Sequence, residues 1–187
     1  MRISGGSARG RIVNAPKGVE LRPTEERVRQ ALFNICAPLL PGCRFLDLFC
    51  GTGAVGLEAL SRGAAFACFA DRETRCLKSA EEHLKAFGFA PGSAEFLRAD
   101  YLSALSRLKD GPSFDILYID PPYESDFGAG ALRRLGELAF VKEPHARVVV
   151  EHASKSPPPE AEGNLRLLRR YPYGNSSLSF YAGNHEN

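Results

Sequence analysis

From residue 44 onward the chain alternates short apolar runs with amphipathic runs, and this alternation constrains the fold more than any other feature. Residues 44–49, 65–70, 94–99, 114–119 and 147–151 read as strands. Between them, 55–62, 73–87, 102–109 and 129–139 read as helices, with Gly63 and Gly88 placed to end the first two. Strands joined through helices pair in parallel, so an α/β fold is expected, with a parallel sheet covered on both faces. The tail breaks the rhythm. Residues 156–163 form a proline-rich loop, and 165–171 and 177–181, joined around Tyr173 and Gly174, are expected to make an antiparallel pair at the sheet edge. Ahead of the alternation, residues 25–36 read as an amphipathic helix capped by Thr24, with Val28, Ala31, Leu32 and Ile35 on its apolar side. Residues 1–22 read as a polar, glycine-containing leader with a candidate strand at 11–13.

The chain of 187 residues suits one domain with a sizeable core. It divides into the leader, an N-terminal helical segment over 23–42 and a catalytic core over 43–182. No apolar run is long enough to span a bilayer, and the start has no apolar signal core, so a cytoplasmic protein is expected. The five cysteines, Cys36, Cys43, Cys50, Cys68 and Cys76, include no C-x-x-C pair. Buried, reduced thiols are expected, with no disulfide framework and no zinc cluster. The net charge is only +2, but its distribution is uneven. Residues 1–19 carry Arg2, Arg9, Arg11 and Lys17 and no acid. Such a stretch suits a nucleic-acid partner, because phosphates attract lysine and arginine with little demand on sequence.

Gly51-Thr52-Gly53-Ala54-Val55-Gly56 matches G-x-G-x-x-G between a strand and a helix, which makes it a candidate nucleotide cradle. Three acids favour S-adenosylmethionine over a nicotinamide dinucleotide. Asp47 lies four residues before Gly51, where a carboxylate would repel a pyrophosphate but suit a cationic or amino-bearing ligand. Asp71 ends the second strand, where it can accept from both ribose hydroxyls. Asp100, beside Tyr101, ends the third, where it can take an adenine amino group.

Asp120-Pro121-Pro122-Tyr123 follows the fourth strand. Its prolines stiffen the turn and remove two backbone donors, leaving the Asp120 carboxylate and the Pro121 carbonyl as acceptors. An exocyclic amino group presents a pair of donors. Two acceptors can hold both hydrogens and turn the nitrogen lone pair toward an incoming methyl, and Tyr123 can stack on the base. The four histidines are scattered without metal-ligand spacing, so no metal is expected.

These residues resemble the RsmD-type bacterial methyltransferases, which modify N2 of a guanine in 16S ribosomal RNA. The likeness runs from Arg2 to Tyr181 and is carried by RISGGSARGR, LRPTEERVRQALFN from Leu21, LDLFCGTGAVGLEALSRGA from Leu46, DPPY from Asp120 and YGNSSLSFY from Tyr173. Cys50 stands where the family commonly has alanine, and Ser176 where it has threonine. The resemblance implies a Rossmann-like class I S-adenosylmethionine-dependent fold with a mostly parallel seven-stranded sheet. It implies cofactor contacts near Asp47, Gly51, Thr52, Gly53, Asp71, Asp100 and Tyr101, and catalysis by Asp120, Pro121, Pro122 and Tyr123. Arg22, Pro23 and Thr24 would border the active site, and Arg9 and Arg11 would touch RNA. The implied partner is 16S rRNA or a small-subunit assembly intermediate, met by a monomer.

Four readings are separable by experiment: guanine N2 methylation, methylation of adenine or of a protein glutamine amide, a nicotinamide-dependent oxidoreductase, and a non-catalytic RNA-binding module. The oxidoreductase would leave Asp120-Pro-Pro-Tyr without a role.

Overall fold

The computed structural model describes residues 1–16, 18–19, 25–122 and 126–184. The expected alternation is present. Strands β1 (Arg44–Leu48), β2 (Phe66–Asp71), β3 (Ala94–Arg98), β4 (Ile116–Ile119) and β5 (Arg147–Ala153) pair in parallel in the order β3-β2-β1-β4-β5. They are linked through helices α2 (Ala54–Ser61), α3 (Thr74–Ala86), α4 (Tyr101–Leu108) and α5 (Phe127–Glu137). Helix α1 (Glu26–Cys36) precedes the sheet; its expected cap, Thr24, lies outside the described residues.

The antiparallel tail is also present, with one correction. The sheet has eight strands, not seven, because Ala161–Glu162 forms a two-residue strand, β6, at its end. Strand β8 (Ser176–Gly183) lies antiparallel between β5 and β7 (Leu165–Tyr173), and β6 pairs with the start of β7. So short a strand leaves no periodic signal inside a proline-rich loop.

Side chains alternate across a strand, so each strand feeds two cores. Phe45, Phe69, Tyr118 and Val149 pack on one face with residues of α1, α2 and α3. Leu46, Leu48, Cys68, Leu117 and Val148 pack on the other with residues of α4 and α5. All eight residues of α2 are buried, so it has no solvated face. Its one charge, Glu58, therefore has to be paired. The Glu58 carboxylate receives Arg29 from α1 at 2.8 Å, Arg62 at 2.8 Å and the Ser4 hydroxyl.

That network ties down the start of the leader, which packs against the core. Ile3, Ala8 and Val13 are buried, the Ile3 N–H donates to the Arg11 carbonyl at 2.9 Å, and the Arg2–Ile12 bridge closes a small loop. Gly6 packs so tightly on Ser61 that a Cβ there would collide with the Ser61 carbonyl. All five cysteines are free and buried. Burial pushes the Cys36, Cys43 and Cys68 thiols up to about 12, so they stay protonated and unreactive. Among the described residues no helix is long and apolar enough to cross a membrane.

Candidate active site

The strand order reverses between β1 and β4, and open α/β sheets bind ligands beyond the carboxyl ends at such a switch point. Asp47, Asp71, Asp100 and Asp120 all belong to this edge, on or just beyond β1, β2, β3 and β4.

The glycine loop leads from β1 into α2. Gly51 and Gly53 have φ of 51° and 74°, in the left-handed region that glycine enters at little cost. Packing asks for glycine as well. A Cβ on Gly53 would stand 2.6 Å from the Ala80 Cβ, and one on Gly56 would stand 2.4 Å from the Phe69 ring. Thr52 is buried, and its hydroxyl accepts from the Ala54 N–H at 3.3 Å.

Each predicted acid makes a local bond. The Asp71 carboxylate accepts from the Gly51 N–H and the Glu73 N–H, both at 2.9 Å, fixing the loop against the end of β2. Asp47 is only 2% exposed and accepts from the Gly56 N–H at 2.8 Å, so it supports the loop from beneath. Burial pushes its carboxyl up to about 8, opposed by that hydrogen bond. Asp100 caps α4, accepting from the Ser103 N–H at 3.0 Å and the Ser103 hydroxyl at 2.8 Å. Those bonds hold its carboxyl below the ordinary carboxylate range and therefore ionised. A carboxylate has about four lone-pair sites, so Asp71 and Asp100 keep acceptor capacity for a ligand.

Tyr101 belongs to an aromatic group that the sequence reading left incomplete. Its ring lies 5.6 Å from Phe49 and 5.6 Å from Phe127, and those two are stacked at 6.3 Å. Phe49 has φ of 68°, a left-handed backbone carried by a residue other than glycine. Gly130 leaves room for the Tyr101 hydroxyl, since a Cβ there would approach it to 2.5 Å. The motif Leu-Phe-Cys-Gly held the signal for Phe49; nothing in sequence linked it to Phe127.

On the other side of the switch point, Asp120 is half-buried, Pro121 is buried and Pro122 is exposed. Pro121 packs beside Gly128 at the start of α5, where a Cβ would approach it to 3.2 Å. Below them the Tyr118 hydroxyl donates to Glu151 at 2.6 Å, with both residues buried. Burial pushes the Tyr118 phenol well up, which keeps its proton on the donating oxygen. Sequence reasoning missed this pair, since its members lie on separate strands. A cavity of about 360 Å³ opens next to Pro121 and Pro122, bordered by Gly128, Glu151, His152 and Ser156. Tyr123, Arg22, Pro23 and Thr24 lie outside the described residues.

Arg9 and Arg11 are not at this edge. Arg11 donates to the Ala86 carbonyl at 2.6 Å and lies 5.3 Å from the Phe87 ring, at the far end of α3. Arg9 lies in the loop that docks on Ser61, the last residue of α2. Both helices start at the catalytic edge, so both arginines lie by their far ends, about 18 Å along α3 (Thr74–Ala86) for Arg11 and about 11 Å along α2 (Ala54–Ser61) for Arg9.

The donor set fits S-adenosylmethionine: carboxylates at strand ends match hydroxyl and amino donors, and the aromatic group offers faces to a flat heterocycle. Among the described residues no group of three or more His, Cys, Asp or Glu side chains is arranged to hold a metal ion.

Comparison with known proteins bears on the family and the fold. The family model described as "Conserved hypothetical protein 95" matches residues 1–182. The Bacillus subtilis "Putative rRNA methyltransferase YlbH" is 33% identical over 182 residues, covering 97% of this chain and 98% of its own length. The Escherichia coli "Ribosomal RNA small subunit methyltransferase D" is 31% identical over 181 residues, covering 97% of this chain and 89% of its own. A solved Escherichia coli structure, "Putative methyltransferase yhhF", matches with a TM-score of 0.82 at 30% identity, covering 100% of this chain and 99% of that one. The fold is the Rossmann-like class I methyltransferase fold. With agreement over nearly its whole length in family model, relatives and fold, the chain belongs to the RsmD family.

Proposed function

We propose that this protein transfers a methyl group from S-adenosylmethionine to the exocyclic N2 of a guanine in 16S ribosomal RNA. The observation that carries the reading is the position of Asp120-Pro121-Pro122 at the end of β4, across the switch point from the glycine loop. Relatives named as small-subunit rRNA methyltransferases support the choice of RNA.

In this reading the backbone of Gly51, Thr52 and Gly53 cradles the cofactor, with Asp47 beneath it. Asp71 accepts from the ribose hydroxyls, and Asp100 and Tyr101 hold the adenine. When bound, S-adenosylmethionine supplies an electrophilic methyl on a sulfonium. The guanine is unpaired or flipped out before reaction. Its amino hydrogens point to the Asp120 carboxylate and the Pro121 carbonyl, which turns the lone pair toward the methyl. Positioning supplies most of the rate, because the nitrogen is conjugated and weakly nucleophilic. Asp120 accepts the released proton directly or through water. The cavity beside Pro121 and Pro122 offers room for the base, Pro122 flanks it, and Tyr123 stacks on it. Arg22, Pro23 and Thr24 border this site. Arg9 and Arg11 meet a different part of the RNA. The leader over 1–22, the segment over 23–42 and the core over 43–182 work as one domain, a cytoplasmic monomer.

The test is to supply S-adenosylmethionine with 16S rRNA or assembling small subunits and to map the methylated base by mass spectrometry. Transfer to a single guanine N2 is expected. No transfer, or transfer only to adenine or to glutamine, overturns the reading.

A further inference from the structure

The β7–β8 hairpin carries three arginines, Arg166, Arg169 and Arg170, and no carboxylate. Its turn reaches the catalytic edge. The Ser154 hydroxyl donates to the Gly174 carbonyl at 2.9 Å, and the Ser154 N–H donates to the Asn175 carbonyl at 2.8 Å. Ser154 directly follows Ala153, which lines the cavity beside Pro121 and Pro122. The hairpin is therefore continuous with the site already described.

On the α1 side of this hairpin, each of two rings is paired with a guanidinium group. The Arg169 guanidinium lies 5.1 Å from the Tyr171 ring, and the Arg27 guanidinium of α1 lies 5.8 Å from the Tyr173 ring. Tyr171 is braced edge-on by Phe180 at 5.5 Å. Both arginines are exposed and both tyrosines half-buried. Tyr171 and Tyr173 are two residues apart on one strand face, about 7 Å. That exceeds the roughly 3.4 Å step of one strand in a duplex, so the spacing suits bases of an extended single strand. Single-stranded nucleic acid is held by this combination of a cationic surface and aromatic faces.

We propose that this row is the track for the unpaired RNA that continues from the methylated nucleotide, with bases on Tyr173 and Tyr171 and phosphates at Arg27 and Arg169. The inference rests on the reading of the substrate as RNA. It adds a surface at the catalytic edge, where Arg9 and Arg11 do not lie.

The test compares the full-length protein with Tyr173→Ala, Tyr173→Phe and the double variant Arg27→Gln/Arg169→Gln. Binding of single-stranded RNA is measured over a salt series, and methylation kinetics are measured on assembling small subunits. Tyr173→Ala should weaken RNA binding about tenfold and raise KM with kcat and S-adenosylhomocysteine affinity held, while Tyr173→Phe keeps the ring and the affinity. The double arginine variant should lower the slope of log affinity against log salt by about 1.4. Its side chains are exposed, so it decides the matter if Tyr173→Ala fails to fold. Folded variants with wild-type RNA affinity and salt slope overturn the proposal. So does a defect confined to protein-containing particles, which would assign the patch to a protein partner. If the wild type methylates no RNA, the proposed function fails, and the binding series still decides the track.

Discussion

The half of the catalytic edge that carries the glycine loop and the half that runs from Asp120 to the β7–β8 hairpin differ in the kind of surface they present. Around β1, β2 and β3 the acids are bonded to nearby N–H groups: Asp47 to Gly56, Asp71 to Gly51 and Glu73, Asp100 to Ser103. Their orientation is fixed by the loop and helix starts they brace. From β4 toward β7 the surface carries exposed Pro122 and exposed Arg27 and Arg169 beside their tyrosines. A small ligand of one shape can be met by preorganised acceptors. A long polyanion is better met by many surface contacts, each contributing a little.

The largest effect expected from this contrast is at Asp120. Asp120→Ala should slow methyl transfer by about 10²–10⁴-fold, the range for a positioned acid–base group, with S-adenosylhomocysteine affinity unchanged in calorimetry. A folded variant that no longer binds the cofactor would move Asp120 into the first half and erase the division.

Next comes the network that ties α2 to α1 and the leader. Glu58→Ala leaves Arg29, 1% exposed, without its carboxylate. Breaking a buried pair in this way should cost about 3–5 kcal/mol in urea unfolding. A loss below about 1 kcal/mol, the usual size for a surface pair, would mean that water reaches the network.

The last effect concerns pH. The folded Asp47 carboxyl is raised from its ordinary value of 3.8 to about 8, so the folded state binds that proton more tightly than the unfolded chain. This contribution to stability is fully present below the unfolded value and is lost as pH rises toward 8. Melting temperatures between pH 5 and 8 should fall less steeply in Asp47→Asn than in the wild type. Identical slopes would show that Asp47 does not titrate in this window.

Much of the fold could be read directly. The parallel strands and their helices fall within about two residues of their expected ends, because buried strands and amphipathic helices leave strong periodic signals. The four acids at the carboxyl edge were legible for the same reason, since each lies in or just beyond the end of a strand that periodicity locates. The leader was not. Ile3, Ala8 and Val13 are buried at five-residue spacing, which fits neither a strand nor a helix, and their partners lie on α1 and α2. Charge alone suggested Arg9 and Arg11, but charge carries no information about which edge of the sheet a residue reaches. Tyr118 and Glu151 meet across 33 positions, beyond any local pattern.

Phe49 joins a strained backbone to an aromatic group. Its left-handed backbone would suit glycine, and any other residue there costs about 1–2 kcal/mol. Yet a phenylalanine occupies it, its ring forming a triangle of contacts with Tyr101 and Phe127. Glycine there would relieve the backbone and remove one of the three rings, so a designer seeking stability would lose the aromatic group by the substitution that the backbone first suggests.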